Sequence, residues 1–111
     1  MSKKVRKFKH LKVSVLIANY NNEQYLKECI DSIKKQKYQK IEIIIHDDAS
    51  SDNSIKKLNE YKNIKIIKNK KRGKYGSYNQ MNAYYRAFKK SNGEIVFLLD
   101  SDDFFKKNKI K

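Results

Sequence analysis

"VFLLDSDDFF", residues 96–105, sets three carboxylates, Asp100, Asp102 and Asp103, directly between an apolar run and two phenylalanines. An apolar run of strand length that ends in clustered acids reads as a buried strand whose carboxyl end opens onto something positively charged. The same order recurs upstream. "VSVLIA" (13–18) runs into the polar turn "NYNN" (19–22), "IEIIIH" (41–46) runs into "DDASSDNS" (47–54), and "IKII" (64–67) makes a third, shorter strand.

Helical patterns fill the intervals. From Glu23 to Gln36 the apolar residues Tyr25, Leu26, Cys29, Ile30 and Ile33 recur at three- and four-residue spacing, which is one face of a helix. The polar stretch 47–54 supplies N-cap candidates for a helix carrying Ile55, Leu58 and Tyr61. After the loop 68–77 a longer helix runs to about Lys90, with Met81, Tyr84, Tyr85 and Phe88 expected inward, and the Asn92–Gly93 pair stops it. Strands without strict alternation, separated by helices, predict an α/β fold of Rossmann-like order, a mostly parallel sheet of about four strands with helices on both faces. Ligands in such sheets sit outside the carboxyl ends of the strands, where strand order reverses. Here those ends carry Asn19 to Asn22, Asp47 with Asp48, and Asp100 to Asp103, so the unusual polar residues share one rim.

A chain of 111 residues has room for one domain. It is divided into a basic N-terminal extension (1–11), the α/β domain (12–105) and a basic tail (106–111). No run approaches the ~18 apolar residues of a membrane span, and the basic N-terminus is followed by no cleavage-type sequence, so the expected location is the cytoplasm. Cys29 is the one cysteine, which excludes a disulfide framework, and its place on a helical face suits a buried small hydrophobe. The formal net charge of +15 points toward nucleic acid or an anionic membrane. Against that, Arg6, Arg72 and Arg86 are the only arginines, and the lysine, asparagine, isoleucine and tyrosine that dominate the chain all have A/T-rich codons. No specific nucleic-acid partner is therefore expected. Peripheral contact at the inner face of the membrane stays open as an alternative, as does a homodimer formed through an apolar patch.

Neither a dinucleotide-type glycine fingerprint nor a GxxxxGK[ST] loop follows any strand, so backbone amides are not set to cradle phosphates. A cation can take that role. Mg²⁺ and Mn²⁺ prefer hard oxygen ligands and are commonly held by one or two carboxylates plus substrate phosphates. Asp100 and Asp102, two residues apart in extended backbone, would point the same way, with Asp103 close behind. An acidic turn that merely caps the next segment is the plainer reading, and placement after a buried strand weighs against it.

Residues 13–54 followed by "GEIVFLLDSDD" (93–103) resemble the N-terminal nucleotide-binding half of the family-2 glycosyltransferases, inverting enzymes of GT-A fold, over about residues 12–105. The resemblance implies that Tyr20 stacks on the nucleotide base while Asn21 supports its turn. It implies that Asp48 accepts a hydrogen bond from the base, usually uracil, and that Asp100 and Asp102 contact the ribose and the metal on the diphosphate with Asp103 nearby. A tyrosine face and a carboxylate acceptor suit those tasks. Arg72 and Lys74 are candidates to approach the diphosphate, whereas Asp47 reads as a turn-former. The implied partners are a nucleotide-sugar donor, a UDP-sugar by this pattern, and an acceptor saccharide or glycoconjugate that the sequence does not identify; the implied cofactor is Mn²⁺ or Mg²⁺.

Three positions depart from the family pattern. Ala18 stands where a proline is usual, Ala49 where a glycine is usual, and Tyr78 where an arginine commonly precedes Asn79. No carboxylate follows Asp103, so the general base that such enzymes draw from their acceptor half has no candidate, and the chain reads as a fragment or degenerate product able to bind donor but not to transfer sugar alone. Two other functions compete. A non-catalytic basic domain would bind anionic lipid or nucleic acid with steep salt dependence, and a phosphoryl-transfer domain would want its carboxylates after the first strand, where this chain has asparagines.

Overall fold

A computed structural model describes residues 11–74, 76–106 and 110. The N-terminal extension, apart from Leu11, and most of the basic tail lie outside the described residues. Seven elements alternate: β1 (Val13–Asn19), α1 (Glu23–Lys34), β2 (Ile41–Asp47), α2 (Ser54–Leu58), β3 (Ile64–Lys68), α3 (Gly76–Lys90) and β4 (Ile95–Asp100). The strands form one parallel sheet in the order β3-β2-β1-β4. The chain steps outward through β2 and β3, then returns to the far side of β1, so the order reverses between β1 and β4. Register keeps the carboxyl ends level, with Asn19 beside Asp47 and Ala18 beside Asp100.

The two faces are packed differently. Leu26, Cys29, Ile30 and Ile33 of α1 are buried against Val15, Ile17, Ile43, Ile45 and Leu99, joined by Leu58 of α2 and by Phe105 and Ile110 beyond β4. Burying one such side chain contributes about 1.5–3 kcal/mol, so this layer dominates the core. Asp52 starts both helices of that face: its Oδ2 accepts from the Glu23 amide at 3.1 Å and its Oδ1 from the Ser54 amide at 2.9 Å. The helix expected from Ile55 to Tyr61 ends earlier, at Leu58, with Tyr61 half-buried after it.

The second face corrects the sequence reading. α3 turns Asn79, Ala83 and Ala87 to the sheet, over Leu16 and Ile44, while Met81, Tyr85 and Phe88 point to solvent and only Tyr84 lies partly inward. Small residues at i, i+4 let the helix lie close to the sheet, and that spacing outweighed the larger apolar stripe. Tyr25 of α1 is likewise exposed, and Leu98 is exposed on the edge strand. No helix among the described residues is long and apolar enough to cross a membrane.

At the opposite end of the sheet Glu42 is nearly buried among donors. The Ser14 hydroxyl and the Asn92 amide (2.7 Å) donate to Oε2, and Lys65 (3.2 Å) and Lys12 (3.6 Å) pair with Oε1. Burial alone would raise this carboxyl; the donors outweigh it and hold it at about 2, against an ordinary 4.5. Because the folded value is the lower one, the stabilisation is complete above the ordinary value and disappears as pH falls through about 2. Glu42→Gln is expected to cost about 2 kcal/mol at pH 7 and to flatten the loss of stability in that acid window, measured by chemical denaturation at a series of pH values.

Candidate functional site

The reversal point between β1 and β4 carries a cleft of about 330 Å³ whose lining includes Tyr20, Asn22, Asp48, Arg72, Gln80 and Asp100. A larger open groove of about 670 Å³ runs along α1 under Phe104 and Phe105, but its walls are the helix's own mixed charges and none of the rim residues reach it. The smaller cleft is where the chemistry gathers.

A buried polar knot fixes its β1–β2 side. Asp47 Oδ1 accepts from Asn19 Nδ2 at 2.7 Å and from the Ser50 hydroxyl at 2.6 Å, and Oδ2 accepts from the Ser50 amide at 3.0 Å. Asp47 is thus a turn-former. The turn after β1 is tied to the same loop, because the Asn21 amide donates to Ser50 Oγ at 3.0 Å and Asn21 Oδ1 accepts from the Ser51 amide at 2.8 Å. Asn21 does this from a left-handed backbone, φ 50°, which asparagine tolerates. Ala49 also has a left-handed φ, 57°. The usual glycine of the resemblance is explained by that geometry, since a Cβ there is strained.

Asp48 and Tyr20 come together through Arg72. Asp48 is buried, its Oδ1 accepts from Asn69 Nδ2 at 2.9 Å, and its Oδ2 accepts from Arg72 Nε at 3.2 Å. The Arg72 guanidinium carbon lies 3.7 Å from the centre of the Tyr20 ring. Behind Asn69, Arg86 Nη1 donates to Asn69 Oδ1 at 3.2 Å and faces His46 Nε2 at 3.3 Å. Burial and the Arg86 charge push His46 down from 6.5, so its imidazole is neutral at pH 7 and presents Nε2 as an acceptor. Gly73, next to Arg72, has no room for a Cβ beside the Asn79 side chain, whose Nδ2 donates to the Gly73 carbonyl at 2.9 Å.

On the β4 side the acidic turn is held from three directions. Asn22 Nδ2 donates to Ser101 Oγ at 2.9 Å, the Ser101 amide to the Ala18 carbonyl at 3.1 Å, and the Phe105 amide to Ser32 Oγ at 2.9 Å. Asp100 Oδ1 accepts from Gln80 and from the Tyr84 hydroxyl at 3.1 Å. Burial and the neighbouring Asp100 raise Tyr84 well above its ordinary value, so it stays a neutral donor. The extended geometry expected of Asp100 and Asp102 stops at Asp100, because the chain turns there and the Asp103 amide closes onto the Asp100 carbonyl at 3.0 Å. Asp102 and Asp103 are exposed on that turn, outside the lining of the cleft, and Lys74 is exposed in the loop after β3. Among the described residues no three His, Cys, Asp or Glu side chains are grouped to hold a metal. Cys29 faces the Asp100 carbonyl, its thiol pushed up to about 12 by burial and then by Asp103, Asp102 and Asp100, which leaves it chemically quiet.

The structure therefore assembles Tyr20, Asp48, Arg72 and Asp100 around one cleft, with Asn21 bracing it and Asp102 and Asp103 on the turn just beyond. The sequence places Asn22 on the polar rim without a role of its own and Tyr84 among the inward residues of the long helix, and it assigns no site role to Asn69, Gln80 or Arg86. Gln80 and Tyr84 were visible as an i, i+4 polar pair on α3, but only the position of β4 gives them a target.

The model of glycosyl transferase family 2 matches residues 14–111. The chain belongs to that family. An uncharacterized glycosyltransferase of Nostoc sp. is 39% identical over 106 residues, 91% of this chain and 31% of that protein. The poly(ribitol-phosphate) β-N-acetylglucosaminyltransferase TarS of Staphylococcus aureus is 31% identical over 105 residues, 91% of this chain and 18% of that one. This family-2 chain thus spans about a third or less of those relatives. A crystal structure of S. aureus TarS superposes with a TM-score of 0.76 at 29% identity over 85% of this chain and 28% of that one. Its complex with UDP-GlcNAc gives 0.74 at 30% identity, covering 85% and 27%. The fold is α/β and Rossmann-like, of GT-A type. Relieving the left-handed alanine tests the local geometry: Ala49→Gly is expected to stabilise the chain by about 1 kcal/mol, read as a rise in Tm.

Proposed function

We propose that the cleft binds a nucleotide-diphospho-sugar, a UDP-sugar, as donor for inverting glycosyl transfer to an acceptor hydroxyl in polysaccharide or glycoconjugate synthesis. The observation that carries this reading is the convergence of Tyr20, Asp48 and Asp100 on one cleft at the strand-order reversal. Tyr20 offers a ring face to the base, and Asp48, buried and held by Asn69, accepts from the N–H on the pairing edge of uracil. Asp100, oriented by Gln80 and Tyr84, accepts from the ribose, and Asn22 keeps the acidic turn at a fixed height above the tyrosine turn.

Asp102, with Asp100 and Asp103 beside it, would hold Mn²⁺ or Mg²⁺. The donor chemistry fits: hard carboxylate oxygens, with Asp102 and Asp103 exposed, suit a cation that takes one or two carboxylates and completes its shell with phosphate and water. When bound, the cation supplies Lewis-acid neutralisation of the departing diphosphate. The residues assigned here serve donor binding alone, and no catalytic base is assigned among them.

UDP at about ten times its dissociation constant is expected to raise Tm by roughly 5 °C with Mn²⁺ present. Chelation of the metal, or Asp102→Asn, should remove most of that rise while Tm without ligand stays near the wild-type value. A thermal-shift titration in which UDP stabilises equally with and without metal would sink the metal assignment, and one in which UDP never stabilises would sink the function.

A further inference from the structure

The nucleotide-binding reading leaves one feature of the cleft unused. Both groups it reserves for the base are already engaged by a single side chain of the protein. The Arg72 guanidinium sits over Tyr20, its central carbon 3.7 Å from the ring centre, and its Nε–H donates to Asp48 Oδ2 at 3.2 Å. Asn69 holds the other carboxylate oxygen at 2.9 Å. A planar π surface with one N–H directed at Asp48 describes a uracil ring equally well, so guanidinium and base compete for one place.

We infer that Arg72 is an internal stand-in for the nucleotide base: it fills the base's place while the cleft is empty, is displaced as the base enters, and is then free to meet the diphosphate. The inference rests on the donor-binding reading above. Physical chemistry supplies the reason for a stand-in. The Asp48 side chain is 8% exposed, and a buried carboxylate left with Asn69 alone would be poorly compensated. The Arg72 side chain, 40% exposed on the loop between β3 and α3, can leave at modest cost because water screens its pairing. Base binding by itself must overcome Arg72, whereas a ligand that carries a diphosphate recovers the displaced charge. Arg72 thereby makes the cleft discriminate the nucleotide diphosphate from the bare nucleoside.

The test is an NMR titration of the 111-residue chain with uridine, and separately with UDP and Mn²⁺. Arg72→Ala is expected to bind uridine about 3- to 10-fold more tightly than wild type, the competition that one exposed ion pair and one cation–π contact can sustain, and to bind UDP more weakly. Arg72→Lys keeps the charge without the flat face, so uridine should again tighten while UDP affinity is retained. Uridine binding that weakens or stays unchanged in Arg72→Ala overturns the stand-in, as does a failure of both proteins to bind uridine while UDP binds. Tyr20→Ala and Asp48→Asn separate the two levels of the argument. If they weaken uridine and Arg72→Ala weakens it too, the donor reading stands and the stand-in falls; if neither changes the binding of uridine or UDP, the base assignment falls and takes the stand-in with it.

Discussion

The buried carboxylate of Asp47 is the joint from which the cleft hangs. It takes a hydrogen bond from Asn19 on the neighbouring strand and two from Ser50 of its own loop, and the Asp48 amide returns a bond to the Asn19 carbonyl at 2.9 Å. Withdrawn from water, such a group is stabilising only with its partners in place, and leaving it unpaired would cost several times what an ordinary hydrogen bond contributes. The turns bearing Tyr20 and Asp48 therefore move as one piece. Their spacing is a property of the sheet end rather than of two independent loops.

A second set of polar contacts brings the acidic turn to the same level. Asn22 belongs to the tyrosine turn and Ser101 to the acidic one, so their hydrogen bond joins the Tyr20 side of the cleft to the Asp100 side directly. Gln80 and Tyr84 reach Asp100 from α3, and Ser32 of α1 fixes the chain just after the turn through the Phe105 amide. Helices on opposite faces of the sheet thus hold one carboxylate-bearing segment between them. The apolar layer beneath, with Leu99 and Phe105 buried beside α1, gives those contacts a rigid base.

Charge is arranged along the cleft in the same way. The chain is strongly basic overall, yet the cation lining the cleft is committed, Arg72 to Asp48 and Tyr20, as is Arg86 behind it, to Asn69 and the neutral His46. Glu42 forms a separate ionic cluster at the far end of the sheet, where it secures the strand starts away from the cleft. Two separate polar networks thus occupy opposite ends of the same strands, one securing the strand starts and the other shaping the cleft.

By itself the sequence determined the alternation of four apolar runs with helical intervals, hence the parallel sheet, and placed Tyr20, Asp48 and the 100–103 acids at strand ends, because strand periodicity and polar turns are local properties. Asp47 as a turn-former and Cys29 as a quiet core residue were legible for the same reason. What only tertiary structure decided depends on distance between segments far apart in the chain. Which face of α3 packs inward turned on how closely Ala83 and Ala87 could approach Leu16 and Ile44, so the larger apolar stripe at Met81, Tyr85 and Phe88 misled. The partners of Asp100 and Ser101, which are Gln80, Tyr84 and Asn22, exist because β4 returns to the side of β1 opposite β2, and Asn69 reaches Asp48 because β3 lies beside β2. No local pattern encodes that return; the burial of both sheet faces does.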